Sequence, residues 1–223
     1  MIRKKHNKTD GVARILIVDD HPIVRQGLEN LINHEKNLKV CGQVDSAYQA
    51  MEAIKTQNPD MIIVDISLKE KNGLELIKDI KVSYPNLPIL ALSMHDEALF
   101  AERSLRAGAK GYIMKQQATD NVIKAIHKVL NNQLYVSDKM AAKMMNKLVT
   151  GKTQVGVSAT DCLSDRELEV FLLIGKGHGT RQISDQLHLS VKTIESYRAH
   201  LKEKLKLDSA SELLQYAIQW VNS

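Results

Sequence analysis

Apolar residues fall in two rhythms along this chain. Up to Leu130, short continuous apolar runs alternate with stretches of helical spacing; from Leu163 onward only the helical spacing remains. The short runs are Arg14–Val18, Leu38–Gly42, Met61–Val64, Ile89–Leu92 and Tyr112–Met114, and each predicts a buried strand. Between them Ile23, Val24, Leu28, Leu31 and Ile32 recur at helical spacing after Pro22, a residue suited to the first position of a helix. Ser46 caps a predicted helix to Gln57, Gly73 opens another carrying Leu74, Leu76, Ile77 and Ile80, and two more run over 96–107 and 118–130. Strands alternating with helices predict a doubly wound α/β domain around a five-stranded parallel sheet.

Right-handed crossovers put all strand C-termini on one edge of such a sheet. Four of the five apolar runs end there in polar residues: Asp19 and Asp20, Asp65, Ser93, and Lys115. A lone Asp65 would read equally well as a helix cap or as a site residue, since burying an unpaired carboxylate is costly and strand ends hold ligands in open sheets. Five such residues at one edge favour a site. Clustered carboxylates raise one another's pKa unless a cation sits among them. An incomplete cage of oxygen ligands suits Mg²⁺, which keeps waters and takes a phosphate oxygen. An aspartate can attack phosphorus to form an acyl phosphate, with Lys115 and the metal neutralising charge.

Asn131-Asn132-Gln133 interrupts the alternation, and Met140, Ala141, Met144, Met145 and Leu148 predict a short amphipathic helix over 138–149, its methionines read as packing residues. Positions 150–159 read as a flexible tether. Gly151-Lys152-Thr153 within it lacks the upstream glycine of a phosphate-binding loop, because position 146 is asparagine. The second half is all α: a capping box at Ser164 and Glu167 opens 165–175, Thr180 is expected to cap a short helix with Ile183 and Leu187, and a turn at His188-Leu189-Ser190 leads into a longer helix through Leu205. A last helix over 209–221 carries Ala210, Leu213, Leu214, Ala217 and Ile218 as an apolar stripe. Two helices joined by a tight turn are the helix-turn-helix arrangement. Six bases against three acids between Arg181 and Lys206 suit phosphate contacts, although a small bundle for protein contacts shows the same periodicity.

The formal net charge of +5 is compatible with nucleic acid without singling it out. Cys41 and Cys162 form no disulfide or metal framework and are expected to be packing residues in a reduced cytoplasm. No apolar run is long enough to span a membrane. The basic, polar start through Gly11 reads as a disordered lead-in.

Val18-Asp19-Asp20-His21-Pro22, Asp65, Ser93 and Gly111-Tyr112-x-x-Lys115 resemble the receiver domain of two-component response regulators. Leu163-Ser164-x-Arg166-Glu167-x-Glu169-Val170, Gly175-x-Gly177, Ile183-Ser184 and Ser190–Arg198 resemble the LuxR-type DNA-binding domain, and together they resemble a regulator of the NarL/FixJ type. The resemblance implies a receiver over 13–131, a linker with a short helix over 132–158, and a four-helix DNA-binding domain over 159–223. It implies that Asp65 is phosphorylated by a sensor histidine kinase or a small phosphodonor. Asp19, Asp20, Asp65 and the Ser67 backbone carbonyl would hold Mg²⁺, Lys115 would bind the phosphoryl group, and Ser93 with Tyr112 would be the switch pair. Lys192, Thr193, Ser196 and Arg198 would face double-stranded DNA, with Arg181 and Thr180 as further contacts, and the last helix would form a homodimer. Lys69-Glu70-Lys71 and Gln116-Gln117 depart from the family's usual residues beside the site and bear on how long a phosphoryl group would last. His95, two residues past Ser93, stands where receivers often tune hydrolysis.

Two other readings compete. A metal-dependent phosphotransferase would use an Asp65 phosphate as a turnover intermediate, but it needs an acid-base carboxylate two residues past the nucleophile, where this chain has Ser67. A protein-binding relay with a helical interaction module predicts no salt-dependent DNA binding. The expectation is therefore a cytoplasmic, non-enzymatic, phosphorylation-switched transcription regulator.

Overall fold

The computed structural model describes residues 11–69, 72–150 and 159–222. The lead-in before Gly11, the phosphate-loop comparison at 151–153, most of the tether and two of the three residues in the Lys69-Glu70-Lys71 loop lie outside them. The chain divides into two compact units, Met1–Ala141 and Ala142–Ser223.

In the first unit the apolar runs form β1 (Ala13–Val18), β2 (Leu38–Val44), β3 (Met61–Asp65), β4 (Ile89–Ser93) and β5 (Gly111–Met114), paired in parallel in the order β2-β1-β3-β4-β5. The intervening helices are α1 (Pro22–Asn33), α2 (Ala47–Gln57), α3 (Gly73–Ser83), α4 (Glu97–Ala107) and α5 (Ala118–Leu130), the last preceded by a 3-10 turn at Lys115–Gln117. Continuous apolar strands need both faces covered. Ile15, Ile17, Met61, Ile63, Leu90, Leu92 and Ile113 pack with Leu28 and Ile32 of α1 and Val122, Ile126 and Val129 of α5. Helices α2, α3 and α4 contact the sheet as well and one another in sequence.

Local chemistry fixes the helix starts. Ser46, Asn72 and Asp96 each accept a backbone N–H from the first turn of α2, α3 and α4. Gly73 is needed where α3 begins, because a Cβ there would lie 2.0 Å from the Asp65 carbonyl oxygen. Gly108 ends α4 with φ of 112°, a left-handed cap that favours glycine.

The chain beyond α5 returns to the sheet. The Tyr112 amide donates to the Tyr135 carbonyl at 2.8 Å, and the Tyr135 amide donates to the Lys110 carbonyl at 3.0 Å. The Ser137 amide then donates to Glu97 Oε1 at 2.7 Å, while Ser137 Oγ accepts from Met140 at the start of α6 (Asp138–Thr150). Of the α6 methionines Met140 is buried, Met144 half-buried and Met145 exposed, so the packing role expected of all three holds fully for one.

The second unit holds α7 (Asp165–Gly175), α8 (Thr180–Leu187), α9 (Val191–Leu205) and α10 (Ala210–Val221). Helix α7 is buried from Arg166 to Ile174 and contacts α8, α9 and α10. Gly175 lets α10 come close, since a Cβ there would lie 2.5 Å from the Ala217 carbonyl oxygen. Phe171 meets Trp220 edge-on at 5.7 Å. Leu213 and Ala217 of the α10 stripe are buried, while Leu214 and Ile218 stay 39% and 38% exposed. Two expectations need correcting. Thr180 is the first residue of α8 and does not cap it; extended Gly179 holds that position, and the Gln182 side chain accepts the Gly179 amide at 2.8 Å. Cys162 is exposed because it lies on a short 3-10 turn ahead of α7, outside the helical core, so it is not a packing residue.

Candidate functional site

The strand order reverses direction between β1 and β3, the position where open α/β sheets form a ligand crevice. Asp19 and Asp20 follow β1 and Asp65 ends β3, so three carboxylates converge at that point, 0%, 5% and 0% exposed. The Lys115 ammonium, just past β5, lies 2.8 Å from both Asp19 Oδ2 and Asp65 Oδ2. Ser67 donates its amide to Asp65 Oδ1 at 3.1 Å, and Arg25 of α1 donates to the Asp19 carbonyl. Lys69 stands at the rim, its Nζ 4.0 Å from Asp20 Oδ2.

Burial is the main force on Asp65 and the Asp19 charge adds to it; Lys115 and the Ser67 amide pull the other way, and the carboxyl ends raised to about 6. The clustering of carboxylates was expected to raise their pKa, and at Asp65 desolvation exceeds the effect of the neighbouring charge. Burial also works against the Lys115 ammonium, but Asp65 and Asp19 outweigh it and hold Lys115 above its ordinary value. One cation therefore offsets only part of the charge of three buried carboxylates.

The donor set fits a hard divalent cation. Ligand atoms of Asp19, Asp20, Asp65 and His21 all lie within 4.8 Å of one another. Among the described residues none donates a hydrogen bond to the buried Asp20 Oδ1, which has His21 Nδ1 2.7 Å away as an ion-pair contact, so lone-pair capacity is left for a cation. His21 belongs to this group through its position directly after Asp20. The sequence showed that adjacency, but a histidine before a proline reads first as a helix entrance.

Ser93 ends β4 fully buried, and its Oγ accepts the His95 amide at 3.0 Å. Tyr112 on the adjacent β5 is 1% exposed, and its hydroxyl donates to the His95 carbonyl at 2.8 Å. Burial pushes the Tyr112 phenol well above its usual range, against the opposing effect of Ser93. The His95 ring ties these pieces to the acid pocket: Nε2 is 3.1 Å from Ser67 Oγ, and the ring stacks on Phe100 with centroids 4.6 Å apart. Sequence alone offered no signal for the Ser67–His95 contact, which joins the loops after β3 and β4.

In the second unit α8 contacts α9 across the turn at His188, which adopts a left-handed φ of 52°. Ser190 caps α9, accepting the Thr193 amide at 3.0 Å, with the two hydroxyls 2.7 Å apart. Lys192, Ser196 and Arg181 are exposed; Thr180, Thr193 and Arg198 are half-buried. The Ser196 hydroxyl donates back to the Lys192 carbonyl. Behind this surface Glu167 completes the capping box with Ser164 and receives Lys204 of α9 at 2.6 Å. Burial raises the Glu167 carboxyl's pKa, but the Lys204 and Ser164 hydrogen bonds win and hold it below the usual range. Arg166 pairs with Glu169 at 2.6 Å in the interior and also donates to the Leu187 carbonyl closing α8.

Residues 15–127 match the response regulator receiver domain family, and residues 161–217 match the bacterial regulatory proteins of the luxR family. The oxygen regulatory protein NreC of Staphylococcus carnosus is 35% identical over 210 residues, spanning 92% of this chain and 97% of that protein. NreC of Staphylococcus haemolyticus is likewise 35% identical with the same coverage. Among solved structures, RcsB from Salmonella enterica serovar Typhimurium, bound to promoter rprA in the presence of phosphomimetic BeF3-, is 26% identical with a TM-score of 0.60, covering 93% of this chain and 98% of that one. A LuxR-family two-component response regulator from Aurantimonas sp. SI85-9A1 is 30% identical with a TM-score of 0.58, covering 62% of this chain and 99% of that one. The convergence of acids and lysine in one unit and the helix-turn-helix in the other thus have full-length counterparts, and the chain belongs to the response regulators of the NarL/FixJ type, phosphorylation-dependent transcription regulators with a receiver domain and a LuxR-type domain.

Proposed function

We propose that Asp65 accepts a phosphoryl group from a sensor histidine kinase, and that the phosphorylated chain binds promoter DNA as a homodimer through α8 and α9, in the cytoplasm. The receiver spans 13–131, the linker 132–158 and the DNA-binding domain 159–223. The observation that carries the reading is the meeting of Asp19, Asp20, Asp65 and Lys115 at the sheet's switch point. RcsB, solved on promoter DNA with a phosphomimetic, supports the coupling of the two events.

In the transfer, an Asp65 carboxylate oxygen attacks phosphorus and the bond from phosphorus to the donor's imidazole nitrogen breaks. The electron pair leaves with the imidazole, which takes up a proton, and Asp65 becomes an acyl phosphate. Mg²⁺, held by Asp19, Asp20, Asp65 and the Ser67 backbone carbonyl, would neutralise the phosphoryl oxygens. Lys115, already 2.8 Å from Asp65, shifts its pairing to a phosphoryl oxygen. The Ser93 hydroxyl, which accepts from His95, keeps its own proton to donate to another. Tyr112 follows Ser93 through the His95 segment that both side chains touch. This route biases a two-state equilibrium that ends in DNA binding. Lys192, Thr193, Ser196 and Arg198 face the DNA, with Arg181 and Thr180 beside them, and the exposed Leu214 and Ile218 of α10 meet the second copy. Ser67 in place of an acid-base carboxylate supports a regulatory phosphate over a turnover intermediate.

The test combines both units. The full chain is incubated with Mg²⁺, with and without acetyl phosphate, and offered genomic DNA fragments. Enrichment of discrete promoters that rises with phosphorylation is expected; equal capture in both conditions overturns the switch, and no salt-dependent capture in either overturns DNA binding.

A further inference from the structure

Segment 134–137, just past α5, is tied to three elements at once. On β5, the Tyr112 and Tyr135 amides make one isolated parallel bridge at Gly111. The approach needs that glycine, because a Cβ there would lie 3.0 Å from the Tyr135 Cβ and from its carbonyl oxygen. On α5, the exposed Lys128 places its ammonium 5.7 Å from the centre of the Tyr135 ring. On α4, Glu97 Oε1 accepts the Ser137 amide at 2.7 Å, a charge-assisted bond and the strongest single tie of the set. Both ends of that bond are helix starts. Glu97 is the first residue of α4, two positions past His95, whose amide and carbonyl hold Ser93 and Tyr112. Ser137 caps α6, taking the Met140 amide on Oγ and the Ala141 amide on its carbonyl. The Glu97 carboxylate thus serves the N-terminal ends of α4 and α6 together, where helix dipoles favour negative charge.

We propose that the Glu97–Ser137 bond is a latch. It holds segment 134–137 on β5 while Asp65 is unphosphorylated, and it opens when the loop between β4 and α4 moves. Opening frees the start of α6, which leads along the chain to the DNA-binding unit. The inference rests on the switch reading of Ser93 and Tyr112. A shift of about 1 Å at the head of α4 carries a 2.7 Å bond beyond hydrogen-bond range, so a small movement suffices. What then remains is a two-bond bridge at the edge of the sheet and one contact to an exposed lysine, and water competes with both. The bond to Glu97 therefore decides whether the segment stays down.

The experiment follows hydrogen exchange of the full chain in Mg²⁺, with and without beryllium fluoride as the phosphoryl mimic, alongside DNA capture. In the wild-type chain the mimic is expected to speed exchange over 134–139 about tenfold. Glu97→Ala should show that faster exchange without the mimic and capture DNA several-fold better in its absence, while acetyl phosphate still labels Asp65 to the wild-type extent. Glu97→Gln keeps a carbonyl acceptor and should stay near wild type in both readouts. Exchange over 134–139 that the mimic leaves unchanged or slows, in a chain whose DNA capture still responds to it, overturns the latch and leaves the switch reading standing. Glu97→Ala with wild-type exchange, or with wild-type dependence of capture on the mimic, overturns the latch as well. If the mimic alters neither exchange anywhere in the chain nor DNA capture, the switch reading falls and the latch with it.

Discussion

The acid pocket and the helix-turn-helix surface solve opposite problems. The pocket gathers buried charge from residues far apart in sequence: Lys115 reaches Asp65 across fifty positions. The second surface lays out exposed polar groups within one short stretch, and its organising contacts are local, such as the Ser190 cap with Thr193 and the Ser196 bond back to Lys192. A buried cluster works at close range and must compensate nearly every charge. An exposed helix acts through water and salt and tolerates single losses. Substitutions in the two regions should therefore differ in size and in kind.

The largest effect belongs to the pocket. Asp65→Asn removes the attacking carboxylate, so labelling by acetyl phosphate with Mg²⁺ should disappear completely in intact-protein mass spectrometry. Persistent labelling would move the acceptor elsewhere. Next comes the one place where the second unit resembles the pocket. Arg166→Ala removes the ion pair with Glu169, which is 1% exposed, together with the bond to the Leu187 carbonyl, and should cost ~3–5 kcal/mol in urea unfolding of that unit. Hydrogen exchange should rise in α7 and α8 and stay unchanged in β1–β5; a rise throughout would break the separation drawn here.

A smaller effect carries the opposite sign. The Asp65 pKa is raised in the folded protein to about 6 from 3.8, so the folded state holds this proton more tightly than the unfolded one. Stability from this group is full below about pH 4, falls as pH rises through about 6 and is level above, and Asp65→Asn should stabilise the chelator-treated protein by ~1–3 kcal/mol near neutrality. Thermal melts between acid and neutral pH check it; a variant with the wild-type slope would assign the slope to another group. Smallest is the exposed side. Lys192→Ala should weaken DNA binding a few-fold on every sequence and reduce the salt slope by about one, read by anisotropy across a salt series.

The same contrast governs what the sequence disclosed. Strands and caps were legible because their causes are local: Ser46, Ser164 and Ser190 each bond a backbone amide three residues on. The meeting of Asp19, Asp20, Asp65 and Lys115 was legible because parallel topology brings strand ends together whatever the side chains do. Thr180 was misjudged as a cap because glycine can hold that position too, and the deciding Gln182 bond depends on side-chain direction. The pull of His21 toward Asp20, the Ser67–His95 contact and the exposure of Cys162 needed three-dimensional neighbours that no periodicity encodes.

Strand β5 lies at the edge of the sheet, and Tyr135 takes up the backbone groups of Lys110 and Tyr112 there. A gene fusion or chimera cut directly after α5 would leave that edge bare, and bare edges recruit strands from other chains. Receivers transplanted from this protein should carry the segment through Ala141, where the first compact unit ends, to remain soluble as separate pieces.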